Sequence, residues 1–129
     1  MKVLTATQMR EADLRTTERH GVPSLQLMEN AGTQVVEFLA GRFANLAHHR
    51  ITMLCGKGNN GGDGLVIARL LRQRDCQLTV LLFAAPDAVR GDAAVNLKRW
   101  REAGGELRVI TNETEWAAIP PWPNRKKPV

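Results

Sequence analysis

Four glycines fall within seven residues in Gly58-Asn59-Asn60-Gly61-Gly62-Asp63-Gly64, and the same run carries two adjacent carboxamides and one carboxylate. It lies between an apolar run, 51–55, and a segment with helical periodicity, 65–71. Strand, glycine loop, helix is an order that leaves backbone N–H groups free at a helix N-terminus, where the helix dipole favours negative charge. Glycines there let the main chain approach a bulky anion closely. The chemistry this pattern fits is a phosphate or nucleotide cradle. The plainer reading is a tight β-α turn with Asp63 capping the next helix. A turn of that kind needs only one or two glycines, and capping does not call for Asn59 and Asn60.

Two named phosphate loops can be set against this run. Gly56-Lys57-Gly58-Asn59-Asn60-Gly61 satisfies G-x-G-x-x-G. The dinucleotide fingerprint also needs an acidic residue about 20 positions on, at the tip of the next strand, and Ala84 or Ala85 stands there. A Walker loop needs Gly-Lys-Ser/Thr where this chain has Gly62-Asp63-Gly64, which excludes it.

The elements around the loop follow from periodicity and capping. Thr5-Ala6-Thr7-Gln8 fits a capping box, and the spacing predicts a helix over 6–19, stopped by Gly21. A second helix starts with Ser24 as N-cap and runs to about Arg42, with Leu27, Met28, Ala31, Val35 and Leu39 as its apolar stripe. Glu29, Asn30, Gln34 and Glu37 form its wet face, with Asn30 kept as a minor site candidate. The run 51–55 reads as a strand buried on both faces of a parallel sheet, 65–74 as a helix and 78–83 as a second buried strand. Ala93, Ala94, Leu97 and Trp100 mark a helix ended by Gly104-Gly105, and 107–110 makes a third strand. Asn112-Glu113-Thr114-Glu115 can start one more helical turn; Pro120, Pro121, Pro123 and Pro128 forbid any helix or central strand after it. Two helices followed by β-α-β-α-β predict an α/β fold with a parallel sheet and helices on both faces.

Composition narrows the class. A chain of 129 residues with 43% hydrophobic and 24% charged residues suits one soluble domain with a real core. No run is long and apolar enough for a membrane span or a signal peptide, so the expected compartment is the cytoplasm and no membrane partner is expected. Cys55 and Cys76 lack metal-ligand spacing and read as buried thiols. The adjacent His48 and His49 read as solvated, since neighbouring side chains do not converge on one metal. The net charge of +5 is spread among acids, and with no tyrosine and no basic-aromatic strip, nucleic-acid binding has little support.

Three stretches together resemble the NAD(P)H-hydrate epimerase family, the YjeF N-terminal domain. They are Leu4-Thr5-Ala6-Thr7-Gln8-Met9-Arg10 with Asp13, Pro23-Ser24-Leu25-Gln26-Leu27-Met28-Glu29-Asn30-Ala31-Gly32, and Gly58-Asn59-Asn60-Gly61-Gly62-Asp63-Gly64-Leu65-Val66. The resemblance implies a Rossmann-like three-layer fold, incomplete here at about three strands and preceded by two helices. It implies epimerisation of the R and S forms of hydrated NADH or NADPH, with Asn59, Asn60, Gly61, Gly62 and Asp63 binding the substrate and Asn60 helping to hold a potassium ion. The catalytic group is not fixed by it; Asp63 reads first as a helix cap and only second as a candidate proton carrier. Expected partners are a second copy, as a homodimer, or a fused or separate ATP- or ADP-dependent dehydratase. A related domain that serves as a non-catalytic, RNA-associated scaffold supplies the alternative function. Family members continue into a further strand and a second glycine-rich turn, so residues 1–129 are expected to be a single partial domain, truncated at the C-terminus, with 119–129 a disordered tail.

Overall fold

In a computed structural model, residues 21–119 are described. The helix expected over 6–19 and the tail from 120 on lie outside them. The chain forms helix α1 (Ser24–Arg42), strand β1 (Arg50–Cys55), helix α2 (Asn59–Gln73), strand β2 (Gln77–Leu82), helix α3 (Gly91–Glu102), strand β3 (Glu106–Val109) and the short helix α4 (Glu113–Ala117). The strands are parallel in the order β1-β2-β3, with Ile51 opposite Leu78, Cys55 opposite Leu82 and Val80 opposite Leu107. This is the expected α/β fold with a parallel sheet.

Alternation along the strands separates two faces. Met53, Cys55, Leu78, Val80, Leu82 and Leu107 pack with Val36 of α1, Leu65, Ala68 and Leu71 of α2, and Ala93, Leu97 and Trp100 of α3. All three long helices therefore share one core on one side of the sheet. Helices on both faces were expected; among the described residues the crossover helices lie on one side, because the strand order runs one way without reversing, and the short α4 meets the other. On the other face Leu54 is 54% exposed, and Phe83, just past β2 and 42% exposed, meets the Trp116 ring of α4, with centroids 5.8 Å apart. So β1 is not buried on both faces as its apolar run predicted; among the described residues it is an edge strand, and only β2 is well covered.

Turn chemistry fixes where the helices stop. After α3 the amide of Gly104, at φ +77°, donates to Arg101 O and that of Gly105 to Trp100 O, the paired bonds of a Schellman turn. A Cβ on Gly105 would fall 2.1 Å from the Trp100 ring, so glycine is needed there for space as well. The indole is fully buried and donates to Glu106 O at 3.1 Å, tying α3 to β3. Asn112 caps α4 by accepting from Glu115 N at 2.8 Å, so the predicted turn is present.

Candidate functional site

The glycine run is not a loop. Helix α2 begins at Asn59 with Gly58 as its N-cap, so Asn59, Asn60, Gly61, Gly62 and Asp63 are its first five residues. Asp63 is therefore not the cap; it lies in the second turn, half-buried and held by a partner of its own. The Gly62 amide closes the first turn onto Gly58 O at 3.1 Å. That leaves the N–H groups of Asn59, Asn60 and Gly61 without an acceptor inside the helix, at its positive end. Both asparagines are exposed beside them.

Packing explains most of the glycines. A Cβ on Gly61 would stand 1.9 Å from Gly56 O, one on Gly62 would stand 2.7 Å from Met28 Sδ and 3.1 Å from Ala93 Cα, and one on Gly64 would stand 2.8 Å from Cys55 Sγ. Only Gly56 and Gly58 of this segment open onto free space. The glycines thus seat the first turn of α2 against β1, α1 and α3 at once, and packing leaves the carboxamides of Asn59 and Asn60 unexplained. Burial pushes the Cys55 thiol up to about 11, so it is neutral at physiological pH and no nucleophile.

Helix α1 runs parallel to α2: Met28 lies on Gly62, Gly32 on Val66, and Glu37 pairs with Arg74. Ser24 Oγ donates to Asp92 at the start of α3. Three helix N-termini therefore gather at the carboxyl ends of the strands, the place where open α/β sheets bind ligands. Ser24 is the first helical residue here, not the N-cap, which is Pro23.

The buried face of α1 is Met28, Gly32 and Val36, while Val35 of the predicted stripe is 41% exposed. Glu29, expected on a wet face, instead pairs with the partly buried Arg69 of α2. Asn30 is exposed and accepts from Gln26 at 2.8 Å, a pairing along the outside of α1. His48 and His49 are exposed, and Cys55 and Cys76 are buried free thiols, as expected. Asn96 was missed by sequence reasoning: it is 1% exposed in α3 beside Met28, and one asparagine in an amphipathic pattern gives no signal that it points inward.

As a cation site the set is thin. Asn60 offers one neutral oxygen at the positive end of a helix, and no group of three His, Cys, Asp or Glu converges among the described residues. A cavity of about 550 Å³ lies at the opposite end of the sheet, lined among others by Arg50, Arg72, Asp75, Gln77 and Glu106.

The fold is a parallel α/β domain whose second helix opens on a glycine-rich first turn. The profile of the family described as "YjeF-related protein N-terminus" matches residues 24–121, and the chain belongs to that family. It is 44% identical over 115 residues to a protein of Moorella thermoacetica named bifunctional NAD(P)H-hydrate repair enzyme Nnr, covering 88% of this chain and 22% of that one. It is 45% identical over 100 residues to an NAD(P)H-hydrate epimerase of Roseobacter litoralis, covering 76% and 44%. The crystal structure of the yeast protein ynu0 (YNL200c) superposes with a TM-score of 0.70 at 24% identity over 90% of this chain and 50% of that one, a likeness of fold. The chain thus spans between about a fifth and a half of the length of these relatives.

Proposed function

We propose that this chain carries the nucleotide-binding part of an NAD(P)H-hydrate epimerase and serves the interconversion of the R and S forms of hydrated NADH and NADPH. The observation that carries this reading is the first turn of α2, with three N–H groups lacking a helical acceptor and two exposed carboxamides, in a family whose similar members are named for that reaction. Phosphate oxygens suit the N–H groups, and ribose hydroxyls suit Asn59 and Asn60.

The hydroxyl of the hydrate sits on the carbon next to the ring nitrogen. Its protonation lets water leave as the nitrogen lone pair forms an iminium; water then adds from the other face and gives back the proton, inverting the centre. One acid/base group is enough for both halves. Asp63 is the candidate within the described residues, one turn inside the donors. A potassium ion belongs to the reading with Asn60 as one oxygen ligand, the others coming from substrate, water or further residues; no step depends on it. The same reading includes action in the cytoplasm, a homodimer or a dehydratase partner, a site extending to Gly62 and Asp63, and residues 1–129 as one partial domain. Among the described residues no helix is long and apolar enough to cross a membrane. An RNA-associated scaffold is not favoured, because the similar relatives carry enzyme names.

The test is a chiral separation of hydrated NADPH epimers over time with the purified chain and potassium, against a no-protein control. Equilibration faster than the control is expected; a rate equal to the control, together with no NADPH binding, would refute the reading.

A further inference from the structure

Asn96 is the one fully buried polar side chain in the described core, 1% exposed, and its hydrogen bonding is incomplete. Its Nδ2 donates to Asp92 O at 3.0 Å and to Met28 Sδ at 3.2 Å, while its Oδ1 is buried without a partner. A leucine of nearly the same shape would fill the place with no unpaired carbonyl, so stability alone does not account for an asparagine here. What the carboxamide does touch is the sulfur that lies on Gly62. Met28 Sδ and Cε both fall within 2.7 Å of where a Cβ on Gly62 would be, and Ala93, three residues before Asn96, closes the other flank.

Methionine has three rotatable side-chain bonds and is the most adaptable of core residues. Left to itself at the α1-α2-α3 junction, it would fix the turn beneath it poorly. The Nδ2 contact selects one placement of the sulfur, and the bond from the same Nδ2 to Asp92 O holds the carboxamide to the start of α3.

We infer that Asn96 is a positioning residue of the site: by holding Met28 on Gly62 it keeps the first turn of α2 closed, and with it the N–H groups of Asn59, Asn60 and Gly61 in one arrangement. Nucleotide binding through that turn rests on the function proposed above; closure of the turn does not. The residue is thus kept for geometry at some loss of stability.

The experiment uses the 129-residue chain and measures three quantities in Asn96→Leu: the thermal midpoint, exchange of the Gly62 amide whose bond closes the turn, and the Kd for NADPH. Expected are an unchanged or higher midpoint, Gly62 exchange at least tenfold faster, and an NADPH Kd about tenfold weaker. A lower midpoint with Gly62 exchange rising only as global unfolding does would make Asn96 a structural residue and overturn the inference. Met28→Leu keeps the apolar volume and removes the sulfur, so it decides the matter if Asn96→Leu does not fold: faster Gly62 exchange is expected, and exchange as in the parent would overturn the inference. If the parent binds no NADPH, the nucleotide reading fails while the exchange arms still decide whether Asn96 holds the turn.

Discussion

The two ends of the sheet differ in a way that cavity volume misrepresents. At the amino ends of the strands lies the open cavity of about 550 Å³, walled by Arg50, Arg72, Asp75 and Glu106. At the carboxyl ends glycines bring α2 into contact with β1, α1 and α3. The roomy end is electrostatically occupied by its own residues. Arg72 is in the last turn of α2, where a cation offsets the negative end of the dipole, and its Nη2 lies 3.4 Å from Gly104 O. Glu106 accepts from Thr79 at 2.9 Å and from Arg108 at 3.4 Å. The crowded end is the one with main-chain donors to spare. Donors without acceptors, more than empty space, mark the place for an anion.

The largest effect should come from testing that crowding. Gly61→Ala puts a methyl 1.9 Å from Gly56 O, a backbone atom that cannot rotate away, so destabilisation of about 3 kcal/mol or more is expected in urea titration. Gly58→Ala, with open space around it, should cost under about 1 kcal/mol. Equal costs would show that the tight seating of the turn is wrong.

Cys55 probes the same junction by pH. Its thiol is held up at about 11 by burial against an ordinary 9.0, so the folded form keeps its proton longer than the unfolded one. The stabilisation this gives is complete below pH 9 and is lost as pH rises through 11, about 2 to 3 kcal/mol over that window. Comparing unfolding of the parent and Cys55→Ala from pH 8 to 11 isolates it; parallel curves would mean that the thiol is not sealed.

Much of the architecture was legible because it depends on composition along one element. The three strands, the Gly104-Gly105 stop and the α4 cap needed only apolar runs and turn residues. The start of α2 was not legible, since each glycine costs a helix about 1 kcal/mol and the run 58–64 reads as a loop by propensity. What overrides propensity is contact with Gly56, Met28, Ala93 and Cys55, and sequence periodicity carries no record of those partners. The face of α1 was misread by one position for a related reason: Val35 and Val36 look alike in sequence, and the close approach of Gly32 to Val66 favours the second. Asn59 and Asn60 stood out in the sequence because nothing in folding required them.

Asn60→Ala sharpens the contrast on the ligand side. Loss of its hydrogen bonds should weaken NADPH binding by about 1 to 3 kcal/mol in isothermal titration while the circular dichroism spectrum stays the same. Affinity equal to the parent would remove Asn60 from the site. The smallest effect belongs to the other end: Arg72→Ala should leave NADPH affinity within about twofold and change stability by about 0.5 kcal/mol or less, as an exposed charge at a helix C-terminus does.

We propose that the first turn of α2 is where this chain receives a nucleotide. An amide-resolved NMR titration of the 129-residue chain with NADPH tests it most directly. The largest and earliest shifts are expected at the amides of Asn59, Asn60 and Gly61. Shifts centred instead on Arg72, Asp75, Gln77 and Glu106 around the large cavity, with the α2 turn unmoved, would contradict it.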